Sequence, residues 1–274
     1  MGALVQSDSV SNIAPTSSSA VPAVALRHVS MSFEGRSGPV QALSEVNLEI
    51  QQREIVSIVG RSGCGKSTLL RIISGLAKSS GGHLSIMGTT TEDYQRHTKF
   101  GFVFQEAGLF PWKTVLQNIL LPLDIAEIGQ PHTRLDRARS LLDMMRLGDF
   151  ANHYPAQLSG GMRQRISIAR AISYEPEILL MDEPFGALDD FTRREIHDEL
   201  IRIWSRRPMT IILVTHSLPE ALHLSDRIVI MAPRPGRVRE IVAVLNPRQA
   251  SGRGQHGENY LAQLDQLEAS IHAA

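Results

Sequence analysis

The sequence predicts an α/β fold organised around a parallel β-sheet, and three observations point there. Ile55–Val59 is a short unbroken apolar run, the mark of a strand buried on both faces. It feeds directly into the glycine-rich stretch GRSGCGKST, after which Leu69–Leu76 reads as a helix. A second apolar run, Ile178–Met181, opens a stretch in which strands and amphipathic helices alternate as far as Val244.

Taken in order, residues 1–22 are rich in Ser, Ala and Pro, with the run Ser17-Ser18-Ser19, and have the composition of a disordered tail. Ala23–Phe33 and Val46–Ile50 alternate as strands, with Glu34–Pro39 as the turn between them. The helix after the glycine-rich stretch ends at a Ser79–Gly82 turn, and His83–Met87 and Phe100–Phe104 follow as strands. From Val115 to about Leu147 the pattern is helical, with Leu135, Ala138, Leu142 and Met145 at spacings of three and four. This reads as a mostly helical insertion. Beyond Ile178–Met181 come the helix Arg193–Trp204, the strand Ile211–Val214 and the short helix Leu218–His223. Strands Arg227–Met231 and Val238–Val244 complete the main domain, residues 23–246. Residues 247–274 hold a linker, Ser251–Gly257, and a candidate amphipathic helix, Tyr260–Ile271.

Composition narrows the class. Hydrophobic content of 42% with 20% charged residues is that of an ordinary soluble globular chain. Lys+Arg 28 balances Asp+Glu 28, so there is no basic footprint for nucleic acid. The single cysteine, Cys64, excludes an internal disulfide and suits a reducing compartment. No apolar run is long enough to span a bilayer, and the first basic residue is Arg27, so no secretory n-region is expected. The expectation is a cytosolic protein, or one held to a membrane by partners.

Gly60-Arg61-Ser62-Gly63-Cys64-Gly65-Lys66-Ser67 fits GxxxxGK[ST] between a strand and a helix, the setting of a P-loop. Its glycines, with Thr68 beyond, let backbone N–H groups wrap phosphates. Lys66 is placed to reach the β- and γ-phosphates of ATP and Ser67 to ligate Mg²⁺. Cys64 is either a thiol activated by the helix terminus or a tolerated variable position. The strand Ile178–Met181 ends in Asp182, suited to a Mg²⁺ shell, and Glu183, suited to polarising an attacking water. His216 ends another apolar strand. The strand pattern sets it beside Glu183 at the carboxyl edge of the sheet, though a solvated or capping histidine is the alternative. Gln105 either senses Mg²⁺ and the attacking water or is an ordinary loop glutamine. Phe33 either stacks on adenine or is an edge or core aromatic.

LSGGMRQR, Leu158–Arg165, is a second phosphate-seeking element. Ser159 is a good helix N-cap, Gly160 and Gly161 allow close backbone approach, and Met162–Ala171 is helically periodic. A Ser-Gly-Gly turn at a helix N-terminus is an anion site.

GRSGCGKST, Gln105, LSGGM, LLMDEP, Leu188-Asp189 and His216 together resemble the nucleotide-binding subunit of an ABC transporter, over about Val24 to Val244. The resemblance implies a P-loop NTPase (RecA-like) core, a small antiparallel β part, and an inserted helical subdomain at about residues 106–172. It implies Phe33 against adenine, Gly60–Thr68 on the phosphates, Gln105 as the Q-loop glutamine and Glu183 as catalytic base. It further implies Asp189 as the D-loop aspartate and His216 as the switch histidine. LSGGM departs from the commoner LSGGQ at Met162, and GALD carries Gly186 where Ser is common.

GPVQAL, LFPWKTVLQN, FGALDDFTRREIHDEL and MAPRPGRV look like the ATPase subunits of nitrate/sulfonate/taurine-type importers, in which LSGGMRQR and GALD are usual. That implies a homodimer on the cytoplasmic face of the inner membrane, a membrane-spanning permease and, indirectly, a periplasmic substrate-binding protein. A soluble ABC ATPase of DNA repair or translation would carry two cassettes, a coiled-coil insertion or basic surfaces, and none is seen. A nucleotide switch or kinase has no use for LSGGMRQR.

Overall fold

The computed structural model describes residues 21–35, 38–96, 100–245 and 258–272. Most of the tail and the Ser251–Gly257 linker lie outside the described residues. Two sheets form the frame. In the smaller, β1 (Val24–Gly35) pairs antiparallel with β2 (Gly38–Ile50) on one side and β4 (Gly81–Ile86) on the other. The larger has six strands in the order β5-β6-β7-β3-β8-β9. These are β5 (Phe100–Val103), β6 (Ile178–Asp182), β7 (Thr210–Val214), β3 (Ile55–Gly60), β8 (Arg227–Ala232) and β9 (Arg237–Ala243). All pair in parallel except β9, which runs antiparallel to β8.

The parallel strands read as continuous apolar runs because both faces are covered. In β3, Ile55 joins a core with the inserted helices, Val56 and Ile58 pack toward the small sheet, and Val59 packs under the C-terminal helices. Those helices are α7 (Leu218–Leu224) and α8 (Glu258–His272). Between the two sheets lies α1 (Lys66–Ile73), with Leu69, Leu70, Ile72 and Ile73 buried. The insertion comprises α3 (Val115–Ile125), α4 (Pro131–Met144) and α5 (Gly160–Ile172), and α6 (Asp190–Arg206) returns the chain to β7. α3 begins at a complete capping box, Thr114 with Gln117.

The structure corrects several boundaries. β2 starts at Gly38, well before Val46, and β1 runs to Gly35, so the expected turn Glu34–Pro39 is largely strand. Residues 38–42 are exposed or half-exposed, so they show no burial alternation for sequence to reveal. α1 ends at Ile73, with Gly75 at φ +73° just beyond it, and the expected Ser79–Gly82 turn gives way to β4 at Gly81. The helix α2 (Thr91–Arg96) was not expected.

Register decides where the chemistry falls. Ile58 pairs with Val214, Asp182 with Val214, and Gly60 with Met231. The carboxyl ends of β3, β6 and β7 therefore lie abreast, bringing the P-loop, Asp182-Glu183 and Thr215-His216 to one edge.

Candidate functional site at the sheet edge

The Gly60–Thr68 loop is held open from beneath. Gly60 sits at φ +156°, and a Cβ there would lie 2.7 Å from the Met231 carbonyl and 2.8 Å from Cys64 Sγ. Gly65, the residue before α1, sits at φ +93° against Leu43. No side chain caps α1, so its first N–H groups remain available to an anion. Lys66 is buried and its Nζ donates to the carbonyls of Gly60 (2.8 Å) and Arg61 (3.4 Å). Arg61, Ser62 and Gly63 face solvent at the loop crest.

Cys64 is fully buried inside this loop. Burial pushes its thiol above the ordinary range, only partly offset by the Lys66 charge and backbone N–H groups. Burial and a raised thiol pKa both count against the activated-thiol reading.

Ser67 Oγ donates to Asp182 Oδ1 at 2.8 Å. Burial, with the Glu183 charge adding, raises the Asp182 pKa despite the Ser67 hydrogen bond. A hydroxyl and one desolvated carboxylate are hard oxygen donors suited to Mg²⁺, which favours one or two carboxylates completed by phosphates. Among the described residues no cluster of three or more His, Cys, Asp or Glu could hold a metal.

Glu183 follows at φ +45°, a left-handed conformation that costs a non-glycine residue about 1–3 kcal/mol. Its N–H donates to the Val214 carbonyl at 2.9 Å, which holds the residue at the sheet edge. Its Oε2 lies 3.3 Å from His216 Nδ1, as the strand pattern predicted. Both line a cavity of about 250 Å³ with Phe185, Gly186, Arg193 and Glu220. A carboxylate hydrogen-bonded to an imidazole beside an anion loop can orient and deprotonate a water.

Gln105 lies exposed just beyond β5, in the same row of strand ends. Its loop is fixed by residues the sequence reading missed. Arg170 donates to the carbonyls of Ala107 (3.0 Å) and Gly108 (2.7 Å). Asn118, fully buried, accepts from Phe110 N–H (2.8 Å) and donates to the carbonyls of Phe110, Lys113 and Thr114. Trp112, 70% exposed, packs edge-on against Phe110. Phe33 is 46% exposed on β1, which removes the core-aromatic reading and leaves the adenine-stacking and exposed-edge readings.

Ser159 caps α5, its Oγ accepting from Met162 N–H at 3.2 Å. The two glycines differ. A Cβ on Gly160 would meet nothing closer than 4.0 Å, whereas one on Gly161 would lie 2.5 Å from Thr192 Cγ2. Gly161 thus serves the packing of α5 on α6 as much as ligand approach. Asp189 caps α6, accepting from Thr192 N–H at 3.0 Å, and the local N–H donors hold its carboxyl below the usual range. Within one chain, no hydrogen bond among the described residues joins Ser159–Gly161 or Asp189 to the P-loop.

A profile described as "ABC transporter" matches residues 43–186, from β2 to the turn after β6. The chain belongs to the ABC transporter family. It is 45% identical over 212 residues to the taurine import ATP-binding protein TauB of Rhizobium johnstonii, covering 77% of this chain and 80% of that protein. It is 42% identical over 219 residues to the aliphatic sulfonates import ATP-binding protein SsuB of Bacillus cereus, covering 80% and 85%. Among solved structures it resembles the dimeric post-hydrolysis state of the ATP-binding cassette MJ0796 bound to ADP and Pi. That match has a TM-score of 0.74 and 37% identity, and covers 81% of this chain and 99% of that one. This ABC cassette is therefore an ATP-binding ATPase with the expected P-loop core and helical insertion. Among the described residues no helix is long and apolar enough to cross a membrane.

Proposed function

We propose that this cassette is the ATP-hydrolysing subunit of an importer for a small solute such as nitrate, a sulfonate or taurine. It works as a homodimer on the cytoplasmic face of the inner membrane, coupled to a separate permease and, through it, to a periplasmic binding protein. One observation carries the reading. The chain holds a nearly complete hydrolytic edge, yet among the described residues its second anion element, Ser159–Gly161, makes its hydrogen bonds only within its own helix. A two-fold dimer resolves this by setting each Ser159–Gly161 turn over the other copy's P-loop. The dimeric state of the MJ0796 cassette supports that arrangement, and the names of the TauB and SsuB relatives support the solute class.

In this reading the phosphates of ATP rest on the N–H groups of Gly63–Thr68, with adenine on Phe33. Lys66 shifts from the Gly60 carbonyl to the β- and γ-phosphates. Ser67, Asp182 and Gln105 would hold Mg²⁺, which would neutralise charge on the phosphate oxygens. Glu183 takes one proton from the attacking water as the water oxygen bonds to the γ-phosphorus and the bond to ADP breaks. His216 orients the Glu183 carboxylate and, once the nucleotide is bound, the γ-phosphate. Asp189 lies at the seam between copies. The exposed Gln105 loop with Phe110, Pro111 and Trp112 faces the permease and carries closure to it.

Glu183→Gln tests the assignment. It should bind ATP and dimerise while turnover falls by about 10²–10⁴. Near wild-type hydrolysis would overturn the base role. Reconstitution with a permease, scanning small anions for stimulation of ATPase rate, tests the solute class.

A further inference from the structure

A second cavity, of about 240 Å³, lies where the C-terminal ends of α4, α5 and α6 come together. Leu141 and Met144 on α4, Ile172 ending α5, Ile203 on α6 and Met209 just ahead of β7 supply its apolar lining. Ile172, Ile203 and Met209 are buried, whereas Leu141 and Met144 are only half-buried. The cavity therefore leaves apolar surface in contact with water, and covering that surface is favourable.

Three guanidinium groups border the same cavity: Arg137 from α4, Arg206 ending α6 and Arg207 just after it. One carboxylate opposes them. Glu175, in the turn between α5 and β6, pairs with Arg137 at 2.8 Å and with Arg207. The Arg206 side chain is exposed and has no ion pair or hydrogen-bond partner among the described residues. The border is left with positive charge in excess, beside an apolar interior.

These two features suit the two ends of one molecule. A dry apolar cavity of about 150 Å³ accepts benzene, so one of about 240 Å³ accommodates an unbranched chain of about six carbons. A singly charged sulfonate or carboxylate at the end of that chain meets the guanidinium groups in charge-assisted hydrogen bonds. A neutral hydrocarbon leaves the arginines unmet, and inorganic sulfate leaves the cavity unfilled. The nucleotide elements are remote. α5 starts at the Ser159–Gly161 turn and α6 at Asp189, whereas the cavity lies at the opposite end of both, about 18 Å along α5.

We propose that the cavity between α4, α5 and α6 binds a short-chain aliphatic anion, with its chain against Leu141, Met144 and Ile203 and its head on Arg206, at a site separate from that of the nucleotide. The inference stands independently of the importer reading, since it draws only on this cavity and its charges.

Calorimetric titration of the full-length protein with butane-, pentane- and hexane-1-sulfonate tests it. Affinity should rise about fourfold with each added methylene. Hexan-1-ol should bind about tenfold more weakly than hexanesulfonate, because it brings no charge to the arginines. Arg206→Glu and Leu141→Asp should each weaken hexanesulfonate about tenfold or more while leaving ATPase activity at the wild-type level. Arg206 is exposed, so its variant carries the test if Leu141→Asp fails to fold. Saturating ADP should leave hexanesulfonate affinity unchanged, and hexanoate run alongside identifies the preferred head group. Four results would each overturn the proposal: no saturable binding, affinity independent of chain length, affinity unchanged in both variants, or displacement by ADP.

Discussion

Replacing Gly236 with Ala should disable nucleotide binding from outside the P-loop. Gly236 joins the β8–β9 hairpin to both β2 and the loop: its N–H donates to the Ala42 carbonyl at 2.9 Å, and its carbonyl accepts from Ser44 N–H at 2.9 Å. A Cβ there would lie 2.1 Å from the Cys64 carbonyl, 2.9 Å from that of Ala42 and 2.9 Å from Leu43 Cδ2. Two of the three obstacles are backbone, so no rotamer change relieves the clash. Overpacking typically costs about 1–3 kcal/mol. Weakening two hydrogen bonds adds about 0.5–1.5 kcal/mol each. The sum is about 2–6 kcal/mol, a fall of roughly 4–24 °C in Tm at this chain length. The loop must also move by about 1 Å to regain normal contact, a displacement that can cost about 100-fold in rate. Thermal unfolding and ATP titration read both effects. Gly186→Ala is the control, since a Cβ there meets nothing closer than 3.6 Å. Unchanged Tm and ATP affinity in Gly236→Ala would refute the claim that this hairpin sets the loop.

Asp182→Asn should stabilise the nucleotide-free protein while abolishing Mg²⁺-dependent hydrolysis. The folded-state pKa of Asp182 is raised, chiefly by burial, so its ionised form disfavours folding above the ordinary aspartate range. The gain should be present at neutral pH and shrink as pH falls through that raised value, and a lower Tm at pH 7 would contradict the sign. Cys64 should react with a maleimide only as fast as the protein opens, because the thiol is buried and its pKa raised. Rapid stoichiometric labelling of the native protein would contradict this.

The parts of the site that sequence revealed are those made locally. The P-loop was legible because a buried strand, a glycine turn and a helix start follow one another within a few residues. The meeting of Glu183 and His216 was legible because parallel strands align their carboxyl ends. Contacts made across the fold were not. The contact of Gly161 with Thr192 and of Gly236 with Cys64 depends on how separate elements pack, which no local pattern encodes. Glu220 showed only its capping-box spacing from Ser217, and that spacing pointed outward to the helix end when the side chain in fact turns to His197. The early start of β2 escaped notice because an exposed hairpin has no burial period to read.

The central claim is that Ser159–Gly161 and Gly60–Thr68 form one site only across two copies, and mixing two inactive variants tests it most directly. Lys66→Ala disables the P-loop and Ser159→Arg disables the capping turn. Each alone should be nearly inactive as a homodimer. In an equimolar mixture half of the dimers are mixed, and each mixed dimer carries one site built from two intact halves. About a quarter of wild-type ATPase activity should return. No recovery, with mixed dimers shown to form, would contradict it.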